Sequence, residues 1–158
     1  NYRGMEHRLE LVHSNILKNV GMNFFNDSAS TNPYTAAAAI RAFPNQPKIL
    51  IAGGKDKNLD YAPLAKALKN SNTKMVILFG ENKNKINKAI GNQKLVIKKT
   101  KNLQQAVQLA YKTAKQLQQL KQYNNTNIIF SPATASFDMF KDYKDRGEQF
   151  KKIVKKLK

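Results

Sequence analysis

Short apolar runs alternate with amphipathic stretches along most of this chain. Ile49 to Ala52, Met75 to Phe79, Leu95 to Ile97 and Ile128 to Phe130 are each too short for a globular helix and rich in branched side chains. They predict strands over residues 48–52, 75–79, 95–97 and 127–130. Between and after them, helices are expected over residues 63–69, 83–90, 103–121 and 147–157. In the longest, Leu103, Val107, Ala110, Ala114, Leu117 and Lys121 recur at three- or four-residue steps, so one face packs on a sheet. The strand runs lack strict alternation, which suits a parallel sheet covered on both faces. Before them, Leu9, Leu11 and Val12 face Phe24 and Phe25 across a turn near residues 19–21, a hairpin pattern. A helix follows over residues 33–42, with Asn32 as its cap, Pro33 in its first turn and an alanine run to propagate it. The expectation is a doubly wound α/β domain, mostly parallel, with an N-terminal hairpin. Ligands then gather at the carboxyl ends of the strands.

Length and composition narrow this picture. A chain of 158 residues buries about 69% of its unfolded surface, enough for a core without staples. The pattern holds no internal repeat and no long linker, so residues 1–158 are expected to form one domain. The absence of cysteine excludes thiolate catalysis, zinc–thiolate sites and disulfides. No apolar run approaches the ~18 residues of a membrane span, and no signal segment opens the chain, so a cytoplasmic location without membrane contact is expected. The formal charge is +18, and nearly all of the excess lies after residue 47. Such a field attracts polyanions, and a basic nucleic-acid-binding α/β module is the alternative it raises. However, the basic groups are almost all lysines, scattered among Asn and Gln instead of interleaved with aromatics. A solvated surface accounts for them, and no specific nucleic-acid partner is expected.

Three small, polar junctions follow separate strands. In Gly53-Gly54-Lys55-Asp56-Lys57 the glycines can turn backbone N–H groups toward an anion with a lysine above them. The spacing is not that of a phosphate-binding P-loop, so the loop cannot hold ATP alone. Lys57 is either an anion ligand or an ordinary loop lysine. Asn26 to Asn32 joins a strand end to a helix start, where hydroxyls and N–H groups can fix a carboxylate. Asp27 can accept from a ribose hydroxyl or simply organise the turn, and capping alone explains several neighbours. In Ser131 to Asp138, Ser136 can donate to a ligand oxygen or cap a short helix toward Phe140. His7 and His13 have no metal-ligand spacing. His7, beside Arg8, can meet a phosphate or carboxylate, although packing is the simpler role.

Read in order, His7-Arg8-Leu9-Glu10, Asn26-Asp27-Ser28 with Thr31-Asn32, and Ile51-Ala52-Gly53-Gly54-Lys55-Asp56-Lys57 resemble the C-terminal domain of the Mur ligases. So do Leu59-Asp60-Tyr61, Ser131-Pro132-Ala133, Ala135-Ser136-Phe137-Asp138, Phe140-Lys141, Arg146-Gly147 and Phe150. The likeness is strongest to the D-glutamate-adding members, and another amino-acid-adding branch is the alternative. The resemblance implies a Rossmann-like fold that closes over separate ATPase and uridine-nucleotide domains. The whole enzyme then uses ATP and Mg²⁺ to join D-glutamate to UDP-N-acetylmuramoyl-L-alanine in cytoplasmic peptidoglycan synthesis. The P-loop and most Mg²⁺ ligands belong to the other domains, so the isolated domain is expected to be inactive. Carried over by position, Thr31 and Lys57 resemble the groups that hold the side-chain carboxylate of D-glutamate. Ser136 resembles the holder of its α-carboxylate, and Tyr143 the aromatic neighbour, often phenylalanine. Arg8 and Asp27 resemble nucleotide contacts, with His7 in the same entry motif. Ala29 departs from a lysine common in the family, and Thr134 from a cysteine.

Overall fold

The computed structural model describes residues 5–12, 21–120 and 125–157. The expected turn before Gly21, His13 and the last residue of the longest expected helix lie outside these. Six strands form one sheet in the order β1-β2-β6-β3-β4-β5. They are β1 (Glu10–Val12), β2 (Gly21–Asn26), β3 (Lys48–Ala52), β4 (Thr73–Leu78), β5 (Val96–Lys99) and β6 (Asn125–Phe130). Strand β1 runs antiparallel to β2, with Leu11 opposite Phe25, and all other pairs are parallel. The helices are α1 (Pro33–Arg41), α2 (Ala62–Lys69), α3 (Lys83–Ile90), α4 (Leu103–Gln119) and α5 (Tyr143–Lys155). This is the expected Rossmann-like arrangement, hairpin included.

Alternate residues of the central strands feed two cores. Ile49, Ile51, Ile77, Ile128 and Phe130 pack with Leu103, Val107 and Ala110 of α4 and Phe150 of α5. Leu50, Ala52, Val76 and Leu78 pack on the other face with Ala36 and Ile40 of α1, Leu64 of α2 and Ile86 of α3. Handedness explains the division. The chain steps outward from β2 to β3, β4 and β5 through α1, α2 and α3, then returns through α4 to place β6 between β2 and β3. Right-handed crossovers in opposite directions put their helices on opposite faces. Phe130 stacks on Phe150 with centroids 4.8 Å apart, anchoring α5 to the sheet.

Helix caps form where the polar residues allow. Asn32 accepts from Thr35 N–H and Asn102 from Gln105 N–H, each closing the first turn of its helix. Helix α5 starts at Tyr143, four residues before the expected start, because Asp142 accepts from Asp145 N–H and caps it. The short helix considered after Ser136 is instead a turn, in which the Ser136 carbonyl accepts from Met139 and Phe140 N–H.

Candidate functional site

Neighbouring parallel strands β3 and β6 send their chains to opposite faces, β3 to α2 and β6 to α5. Their carboxyl ends therefore flank a switch point, where ligands settle in open α/β sheets. The loops after them run side by side: Gly53 N–H donates to the Pro132 carbonyl and Lys55 N–H to the Ala135 carbonyl. Thr134 Oγ1 also donates to the Lys55 carbonyl. Gly53 has φ +121°, and a Cβ there would meet the Phe79 carbonyl oxygen at 1.8 Å, so only glycine fits.

The lysines of this loop are disposed differently. Lys55 pairs with Glu81 at 2.9 Å, and that contact raises the lysine's pKa and lowers the glutamate's. Asp56 lies below the usual carboxylate range because Asn58 N–H donates to it, helped by Lys85 at 3.0 Å. Lys57 is exposed and forms no ion pair among the described residues; its ammonium lies 5.1 Å from the centroid of the Phe137 ring. It is the loop's cation without a carboxylate partner. Ser136, next to Phe137, is buried. The structure thus brings the Lys57 and Ser136 loops into direct contact.

Thr31 occupies the same carboxyl edge, exposed and one residue before the α1 cap. The Asp27–Ser28 turn ties its loop to the β6 end. Asp27 N–H donates to the Phe130 carbonyl, and the Asp27 carboxylate accepts from Ser131 Oγ at 2.7 Å and Leu9 N–H at 3.0 Å. Burial raises the Asp27 pKa despite these donors. Arg8 is exposed beside this turn. Tyr143 is exposed at the start of α5; its carbonyl accepts from Ser28 Oγ, and its ring meets the His7 ring edge-on at 6.2 Å.

His7 is buried, not at the surface of the edge. A Cβ on Gly147 would reach its Nδ1 at 2.2 Å, so glycine makes room for the ring. Asn26 Oδ1 accepts from Ser28 N–H, which turns its Nδ2 toward His7 Nδ1 and Glu10. Glu6, His7 and Glu148 have metal-ligating geometry, but Lys151 Nζ lies 2.7 Å from Glu148 and 3.1 Å from Glu6. A lysine already among the carboxylates opposes a second cation, and Mg²⁺ prefers oxygen ligands to an imidazole, so these residues do not fit it.

Two parts of the edge escape sequence reasoning. The first is a fourth loop, after β4: Asn82 accepts from Gly54 N–H, donates to Tyr61 Oη, and gives its own N–H to the Gly54 carbonyl. Gly80 and Asn82, directly after an apolar run, were the available signal. The second is Arg146, fully buried beneath the loops. Arg146-Gly147 belongs to the family resemblance, but nothing in the local pattern marks the arginine as buried or as a tie between loops.

The fold and its edge define a doubly wound α/β domain whose post-strand loops carry the exposed Thr31, a lysine without a carboxylate partner among the described residues, and the buried Ser136. Residues 7–130 match the family described as Mur ligase, glutamate ligase domain, and the chain belongs to that family. It is 38% identical over 97% of its length to the UDP-N-acetylmuramoylalanine–D-glutamate ligase of Aquifex aeolicus, of which it covers 34%. The chain thus spans about a third of the curated relatives it matches. Among solved structures, folylpolyglutamate synthase of Mycobacterium tuberculosis, complexed with ADP and AMPPCP, superposes with a TM-score of 0.64 at 14% identity, over 93% of this chain and 32% of that one. The ligase MurC of Thermotoga maritima superposes with a TM-score of 0.55 at 14% identity, over 94% and 30%. These likenesses concern the fold. No helix of the described residues is long and apolar enough to cross a membrane.

Proposed function

We propose that this chain is the amino-acid-binding domain of an ATP-dependent ligase that adds D-glutamate to UDP-N-acetylmuramoyl-L-alanine. The carrying observation is the uncommitted Lys57 beside the Ser136 loop at the switch point, in a chain matched along nearly its whole length by D-glutamate ligases. In this reading Lys57 and Thr31 hold the side-chain carboxylate and Ser136 the α-carboxylate, with Tyr143 alongside. A lysine offers a compact, mobile charge, and hydroxyls orient a carboxylate without adding charge. With both carboxylates fixed, the amine is the group left free to attack, so the domain contributes orientation and not proton abstraction.

ATP supplies the activation of the acceptor carboxylate, with its phosphate-gripping loop and most of its Mg²⁺ ligands in other parts of the protein. On this chain Arg8 offers a cation to the nucleotide, and Asp27 retains lone pairs for a ribose hydroxyl. His7 holds the turn between them.

The test is the full-length ligase carrying Lys57→Ala, assayed for amide formation against D-glutamate concentration. Loss of one charge-assisted bond of about 1.5–3 kcal/mol predicts a ten- to hundredfold fall in kcat/KM for D-glutamate. Unchanged kinetics would remove Lys57 from the site. Competition by meso-diaminopimelate, lysine or L-alanine, in place of D-glutamate, would reassign the chain to another branch of the family.

A further inference from the structure

Arg146 is a long cation sealed inside the protein, 0% exposed, and among the described residues its hydrogen bonds all go to neutral oxygens. Nε donates to Ser28 Oγ at 3.0 Å and one terminal nitrogen to the Ser28 carbonyl at 2.7 Å. The other terminal nitrogen donates to the Thr134 carbonyl at 2.9 Å. A third loop closes on the same group: a Cβ on Gly54 would lie 3.3 Å from the guanidinium and 2.5 Å from the Ala135 carbonyl. Burying a charge without a carboxylate is costly, and burial lowers this arginine's pKa to about 10, with only Asp138 opposing. A planar fork of five N–H donors is the side chain able to bind two loops at once from below.

The bonded residues sit close to the proposed ligand groups. Ser28 lies three residues before Thr31, and Thr134 two before Ser136. Asp27, by contrast, is fixed without Arg146, through Leu9, Ser131 and the Phe130 carbonyl. We infer that Arg146 is a positioning residue for the incoming amino acid: its guanidinium sets the separation between the Thr31 loop and the Ser136 loop, and hence between the groups that hold the two carboxylates. This inference rests on the D-glutamate reading. It predicts that the fork, and not the positive charge alone, is required, and that amino-acid binding suffers more than nucleotide binding.

The experiment uses the full-length ligase with Arg146→Lys, which keeps the charge and loses the fork. The expected result is a rise of about tenfold or more in KM for D-glutamate, with KM for ATP moving less than about threefold. Hydrogen exchange should quicken at the amides of residues 28–31 and 134–136 together. An unchanged KM for D-glutamate, or exchange unchanged in both segments, would overturn the inference even if thermal stability fell. Should Arg146→Lys not fold, Ser28→Ala removes one of the three bonds and leaves the guanidinium in place. It should raise KM for D-glutamate by about two- to fivefold, and no rise would overturn the inference. If both segments loosen while Lys57→Ala leaves D-glutamate kinetics intact, the clamp on the loops stands and the assignment of the ligand fails.

Discussion

Two cations are buried at opposite ends of the sheet, and the protein treats them differently. Lys48 opens β3 at the amino edge, and Arg146 lies beneath the loops of the carboxyl edge; both are 0% exposed. Among the described residues Lys48 donates once, to the Gln46 carbonyl at 3.1 Å, and burial lowers its pKa to about 8, with Lys74 adding repulsion. Arg146 donates three times, across two loops, and burial lowers its pKa as well, to about 10. A buried charge on a flexible stem with one partner is a stability cost. The same charge spread over a rigid fork with three partners becomes a joint. The joint stands where the loops must keep a fixed spacing, and the cost is confined to the edge that carries no proposed ligand group.

Truncation separates the two most sharply. Arg146→Met should destabilise by about 2–4 kcal/mol in denaturant unfolding, because the Ser28 and Thr134 oxygens lose their donors inside the protein. Lys48→Met should act in the opposite direction, raising stability at pH 7 by about 1–2 kcal/mol as the desolvated ammonium is removed. Equal losses in both variants would erase the distinction.

The pH dependence sharpens it further. Folded Lys48 gives up its proton near pH 8, whereas its ordinary value is 10.5. The unfolded chain therefore binds more protons between these values, and stability contributed by this site rises as pH climbs from about 8 to 10.5. Lys48→Met should flatten that rise. Lys151 supplies the opposite sign: burial disfavours its charge, but bonds from Glu148, Glu6 and Glu10 outweigh this and raise its pKa. Its contribution is present below 10.5 and is lost as pH rises through its higher folded value. A wild-type curve that falls steadily between pH 8 and 10 would contradict the assignment to Lys48.

The contrast also marks what the amino-acid pattern reveals. The bodies of β3, β4 and β6 were legible because both faces are covered and apolar runs must fill them. The first two residues of β6, Asn125 and Thr126, were less so: Asn125 and Asn127 accept from Asn23 across the β2 pair, a polar ladder that imitates a loop. The early start of α5 depends on a single capping aspartate amid many charges. In the site, the glycines after β3 and the hydroxyls after β2 and β6 stood out because three small, polar junctions follow separate strands, although Ser28, Ser30, Ser131 and Thr134 turn out to bond within the protein. The burial of Arg146 and Lys48 was not legible, although Arg146-Gly147 belongs to the family resemblance, since burial is decided by long-range packing and no local pattern records it. His7 shows the converse, a residue conspicuous beside Arg8 that the fold places inside, against Gly147.

The most direct test of the central claim compares D-glutamate with D-glutamine in the full-length ligase, before and after Lys57→Ala. The two differ only at the side-chain carboxylate that Lys57 is proposed to hold. The account predicts that the variant loses most of the preference for D-glutamate, a collapse of about tenfold or more in the ratio of kcat/KM values, while Ser136→Ala weakens both substrates and leaves the ratio unchanged. A preference untouched by Lys57→Ala would contradict it.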